Sequence, residues 1–181
     1  LCCFQALIRE SQMDAQLKEV IADIQKLYRS DPLKSKLTFK TSSNLGGRFR
    51  SDVSIREHSM TIDEPESIGG TDMGPSPVEV ILAALGSCQE ITYRAYATAM
   101  GIEIDRISVD LEGDIDFRGF FAVDDAVRPG YDKIRATVTI ESSAPSSDID
   151  KLREVVNGHC PVLDILSNPV PVELNVVVEG D

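Results

Sequence analysis

The sequence predicts an α+β fold, in which helices alternate with strands joined by hairpin-like connections. Three observations carry this. Apolar residues recur at helical spacing in the first 30 residues and again from residue 77 to residue 100. Alternating apolar and polar residues mark strands in between and after. Short turn signals join neighbouring strands, which favours hairpins over parallel crossovers.

Leu17, Val20, Ile21, Ile24 and Leu27 give an amphipathic helix over 13–29, closed by Asp31-Pro32. Leu37, Phe39 and Thr41 alternate as a strand. Asn44-Leu45-Gly46-Gly47 reads as a turn, with a second strand from Arg48 to about Arg56 and a third over 59–62. Residues 63–77 are rich in Gly, Pro, Ser and acids and form a loop. Ser76-Pro77 is an N-cap with proline at the first helical position, and Gly101 ends the helix it starts. The first half of that helix is apolar on most sides, which predicts burial on most sides. Small residues Ala83, Ala84 and Gly86 permit close packing against a neighbouring helix or core. Strands follow over 103–118 and 131–142, with a loop containing Phe120 and Phe121 between them. Ser146 and Ser147 cap a helix to about Asn157, Cys160–Leu166 forms further helical turns, and Val170–Glu179 alternates as a last strand. Residues 1–34 read as an extension with its amphipathic helix, and residues 35–181 as one domain without repeats. Met13 reads as a natural start, with Cys2 and Cys3 belonging to an upstream extension.

The bulk numbers exclude some functions. A net charge of −12 over 181 residues, with no basic stripe, argues against nucleic acid. No apolar run reaches the roughly 18 residues of a membrane span. Four cysteines are too few for a secreted disulfide scaffold, so the expected compartment is the cytoplasm. Two cysteines and the two histidines, His58 and His159, lack close ligand spacings, so no metal site is expected.

The chemistry rests on Cys88, within the long helix, and Cys160, at the start of a later one. A thiol is activated by cations, hydrogen-bond donors or a helix N-terminus. Burial does the opposite unless a cation is supplied, and Arg48 or Arg50 after the Gly46-Gly47 turn is the candidate supplier. Such a pair suits peroxide reduction, in which one thiol becomes a sulfenic acid and a second condenses with it. An apolar rim would favour organic hydroperoxides. The other reading of two apolar-flanked cysteines is plain core packing.

The stretches Ser76-Pro77-Val78-Glu79 through Leu85-Gly86-Ser87-Cys88 and Gly158-His159-Cys160-Pro161-Val162 together resemble the OsmC/Ohr family, the osmotically induced protein C and organic hydroperoxide resistance proteins. The resemblance spans roughly residues 36–179. It implies antiparallel sheets around long central helices in an intertwined homodimer, with strands from both chains in each sheet and the active sites at the interface. It implies Cys88 as the peroxidatic thiol, Cys160 as the resolving thiol and Arg48 as the activating arginine. It also implies an organic hydroperoxide substrate, a dithiol reductant such as a lipoyl group, and no bound cofactor. One departure stands out. The family's peroxidases carry a glutamate directly after the motif proline, where this chain has Val78; the acid here is Glu79. Glu79 is the candidate for that role, and a first-turn capping acid is its other reading. The departure is closer to a divergent OsmC-like branch. A non-enzymatic dimer, acting as a thiol sensor or binding an apolar small molecule, is the alternative function, and a structural Cys88–Cys160 disulfide a third.

Overall fold

A computed structural model describes residues 2–180, with side chains from residue 15 onward; the features read at Cys2, Cys3 and Met13 lie outside the described side chains. The order is α1 (Cys2–Ser30), β1 (Ser42–Gly47), β2 (Arg50–Ile55), β3 (His58–Ile62), α2 (Pro77–Met100), β4 (Arg106–Ile115), α3 (Phe117–Phe120), β5 (Tyr131–Glu141), α4 (Ser146–His159) and α5 (Pro161–Ser167). The fold is α+β, and all strand pairs are antiparallel: a meander β1-β2-β3 and a hairpin β4-β5.

The core lies between α2, α4 and one face of the β4-β5 hairpin. Tyr93 and Ala97 of α2 meet Ile104, Leu152 and Val156, with Ile107, Val138 and Ile140 packed against them. Helical spacing on α2 and α4 and strand alternation on β4 and β5 bring these side chains to one centre. Gly86 lets α2 press onto β4: a Cβ there would stand 2.9 Å from Leu111 Cδ1. Gly86 thus serves a helix-on-strand contact. At the other end Tyr131 of β5 donates a hydrogen bond from its hydroxyl to the Val78 carbonyl, 2.9 Å away, fixing the first turn of α2.

Several expectations change. The Asn44–Gly47 stretch is the body of β1, and the turn falls at Arg48-Phe49, where Arg48 takes a positive φ of 42°. Leu37 and Phe39 precede the strand in coil, 67% and 85% exposed, because no strand pairs with them. The first half of α2 is not covered on most sides: Ile81, Ala83 and Ala84 are exposed. The loop after β4 opens with the short helix α3. Ser146 and Ser147 do not cap α4; Pro145 holds the N-cap position, without a side-chain bond. The alternating stretch 170–179 pairs with nothing in its own chain and forms no strand.

Candidate active site

The loop between β3 and α2 builds the entry to α2. Asp63 is fully buried, and its carboxylate accepts from the backbone N–H groups of Glu64 (2.8 Å), Thr71 (3.1 Å) and Met73 (3.3 Å), and from the Thr71 hydroxyl. These bonds, the Thr71 hydroxyl foremost, hold its carboxyl below the usual carboxylate range despite burial. Gly70 and Gly74 are obligatory in this loop. A Cβ on Gly70 would fall 1.7 Å from the Glu64 carbonyl oxygen, and one on Gly74 2.2 Å from that of Thr61. Glu64, half-buried beside this staple, is pushed up by burial and by the charges of Glu79 and Asp63.

The loop delivers Ser76 to the N-cap of α2, where it forms a complete capping box with Glu79. Glu79 Oε2 accepts from the Ser76 N–H (2.7 Å) and hydroxyl (2.8 Å). These bonds keep the Glu79 carboxyl below its ordinary value. Glu79 therefore sits where a first-turn acid is most useful to the helix.

About two and a half turns further on, Cys88 is half-buried on α2. Cys160 is 1% exposed and stands at the junction of two helices, as C-cap of α4 and N-cap of α5. Their Sγ atoms lie 3.4 Å apart. Residues 72 positions apart in sequence therefore meet because α4 packs on α2 and Pro161 turns the chain into α5. The helix-start expectation holds for position, Cys160 being the N-cap of α5. The Cys160 side chain makes no capping bond, and the backbone N–H of Val162, in the first turn of α5, acts on the Cys88 thiol.

The Cys88 thiol is pushed above the ordinary thiol range, first by burial and further by Cys160; the Val162 N–H and the Thr92 hydroxyl pull the other way. Thr92 also donates to the Cys88 carbonyl, 2.7 Å away. Neither Arg48, Arg50 nor Glu79 is among the groups acting on this thiol. Arg48 is exposed on the hairpin turn, and Arg50 lies 3.8 Å from Asp52. The chain thus brings Cys88 and Cys160 together and leaves the arginines and Glu79 elsewhere. Thr92 and Val162 were missed in the sequence. The i+4 spacing of Thr92 from Cys88 was the available signal for one; a backbone donor such as Val162 leaves none.

Chemically, two adjacent thiols, one of them partly open, can accept two electrons' worth of oxidation. Moving the sulfurs about 1.4 Å closer gives disulfide bond length. The comparison with known families bears on what that couple does. The family model for OsmC-like protein matches residues 70–175, which contain both cysteines, the capping box and the whole of α2.

The chain belongs to the OsmC-like protein family.

Solved structures agree on the fold. An OsmC-like protein from Mycoplasma pneumoniae is 18% identical, with a TM-score of 0.64 over 74% of this chain and 90% of that one. An OsmC-like protein of unknown function from Vibrio cholerae shares 11% identity, with a TM-score of 0.58 over 71% and 93%. An organic hydroperoxide resistance protein from Elizabethkingia anophelis shares 14%, with a TM-score of 0.57 over 74% and 91%. At these identities the likeness is one of fold. No curated protein matches the sequence. No helix among the described residues is long and apolar enough to cross a membrane.

Proposed function

We propose that this OsmC-like chain is a cytoplasmic, thiol-dependent peroxidase that reduces organic hydroperoxides. The observation that supports the reading is the Cys88–Cys160 contact, in which a half-buried thiol lies 3.4 Å from a buried one. The Cys88 thiolate attacks the outer oxygen of ROOH; the O–O bond breaks, the alkoxide takes a proton and leaves as ROH, and Cys88 becomes a sulfenic acid. The Cys160 thiol then attacks that sulfur, water leaves, and a disulfide remains. A dithiol such as a lipoyl group returns the two electrons and is itself oxidised to a disulfide.

The thiol still needs a cation. Arg48, exposed on the β1–β2 turn, is the candidate, with Arg50 behind it, and in this reading it is presented across a homodimer interface. Exposed apolar groups support such a dimer: Phe39 at 85% just before the meander, Leu45 at 72% on it, and Ile81 on α2. Glu79 is assigned to capping. Residues 35–181 are assigned to the OsmC-like domain and residues 1–34 to an extension; the family match itself covers residues 70–175.

A second reading has one observation in its favour. Burial raises the Cys88 thiol and no cation of its own chain offsets this. A non-enzymatic dimer, sensing oxidation through the same pair, needs no more than that. Consumption of cumene hydroperoxide with dihydrolipoamide decides between them. Multiple turnover, lost in Cys88→Ser and leading to over-oxidised Cys88 in Cys160→Ser, is expected. A single oxidation event without turnover establishes the sensor.

A further inference from the structure

Two thiols that touch can do more than be oxidised, because they can hold one atom between them. Cys88 and Cys160 offer their sulfurs 3.4 Å apart. Among the described residues no third cysteine, histidine or carboxylate completes a ligand set with them. Thiolates bond to a soft centre at about 2.3 Å, the length they take on zinc. At that length, sulfurs 3.4 Å apart subtend about 95° at the atom they share. A tetrahedral zinc ion needs a wider angle and four ligands, and the pair supplies two. A two-coordinate cation such as Cu(I) needs a straight line, with the sulfurs about 4.6 Å apart. Spreading them that far works against Cys160, which is 1% exposed and caps α4 and α5 at once.

Trivalent arsenic meets both conditions. A lone pair takes up its fourth position, so the atom is pyramidal and its bond angles lie close to a right angle. An arsenical with one organic group brings its third substituent with it and asks the protein for two thiols only. The ionisation of the pair suits this chemistry too. Burial and Cys160 keep the Cys88 thiol protonated, and no cation of its own chain offsets them. Attack on a peroxide calls for the thiolate. Condensation with an arsenous oxygen uses the thiol proton, which leaves as part of water.

We infer that Cys88 and Cys160 form a chelating site for trivalent arsenicals that carry one organic group. With phenylarsine oxide, the arsenic–oxygen double bond breaks and two arsenic–sulfur bonds form. The two thiol protons leave with the oxygen as one water. Arsenic stays trivalent and both sulfurs stay reduced, so neither an oxidant nor a reductant enters. The organic group leaves by the side of Cys88, which is half-buried where Cys160 is buried. The site needs neither the homodimer nor the arginine of the proposed function, and so goes beyond that reading.

Titration of the reduced full chain with phenylarsine oxide tests this, in a background of Cys2→Ser and Cys3→Ser that leaves only the two thiols in question. Native mass spectrometry is expected to show one phenylarsenic group per chain, with both thiols closed to iodoacetamide. Half-saturation is expected at a concentration at least about a hundredfold below that of Cys88→Ser or Cys160→Ser in the same background, because the second bond forms within one molecule. The chain unfolded in urea should need at least about tenfold more reagent than the folded chain, since its thiols then lie 72 residues apart along a loose chain. That comparison holds even where a serine variant fails to fold. Two phenylarsenic groups per chain, one thiol still open at saturation, or equal binding by folded and unfolded chains overturns the chelate. None of these readouts depends on peroxide turnover, so the failure of one reading leaves the other standing.

Discussion

Replacing Glu79 separates its role as a helix cap from any role in the chemistry of Cys88. In Glu79→Ala the Ser76 N–H loses an acceptor at 2.7 Å and the Ser76 hydroxyl loses one at 2.8 Å. Loss of a cap costs about 0.5–2 kcal/mol. Loss of the first-turn charge adds about 0.3–1 kcal/mol, at the low end because the side chain is exposed. Together this is about 1–3 kcal/mol, or about 2–12 °C in Tm for a chain of this size. Glu79→Gln keeps an oxygen for Ser76 and loses only the charge, so its Tm should fall by about 1–4 °C. Differential scanning calorimetry gives the Tm, and stopped-flow oxidation by cumene hydroperoxide gives the rate at Cys88. Both variants should oxidise Cys88 within about twofold of the parent. An acid that held the activating arginine in place would behave in reverse. Glu79→Gln would then lose rate by about a hundredfold, the scale of a lost electrostatic contact in a reacting site, at unchanged Tm. That result refutes the capping assignment.

Other perturbations follow from the same geometry. Alkylation of Cys88 in monomeric protein should rise to half its maximum only above pH 9.0, the ordinary value from which burial raises it; a midpoint below that shows a cation already at the thiol. Asp63 has a lowered folded pKa, so its contribution to stability is present above the unfolded value near 4 and is lost as pH falls through the folded one. Asp63→Asn should therefore flatten the acid limb of the Tm–pH curve below about pH 4, and an unchanged limb rules the staple out. Gly70→Ala drives a methyl group into the Glu64 carbonyl and should cost at least about 1–3 kcal/mol, measured by urea unfolding. A free-energy change under about 0.5 kcal/mol there means the loop relaxes without cost.

The sequence was most legible where a residue's neighbours are local. Ser76-Pro77 and Gly101 bound α2 as read, because caps are set by the chain within a turn of the terminus. The strand pattern of β4 and β5 was legible because one face is buried in the same chain. It failed where the deciding contact is distant. Asn44–Gly47 has turn composition, yet pairing with β2 holds it in a strand. Val170–Glu179 has strand composition, yet an extended segment without a ladder is not a strand. At the site, the flanking sequence singled out Cys88 and Cys160, the resemblance gave each a role, and the structure supplies their meeting. Nothing in the sequence pointed to Val162 as acting on the Cys88 thiol, since a backbone donor has no residue identity. Asp63 was passed over because an acid in a Gly- and Pro-rich loop looks solvated until its donors are seen.

The 72-residue separation of the two thiols has a consequence for durability. Joining them closes a loop of that length, which in a chain-entropy treatment removes about 4 kcal/mol of freedom from the unfolded chain before any strain is counted. A protein oxidised by its substrate would then wait for its reductant in its most unfolding-resistant covalent form. Reduction would return it to a looser one. In a cell short of reducing power, oxidised molecules would be spared by proteases that act on the unfolded state. The store of protein would outlast the shortage and be ready when dithiol returned.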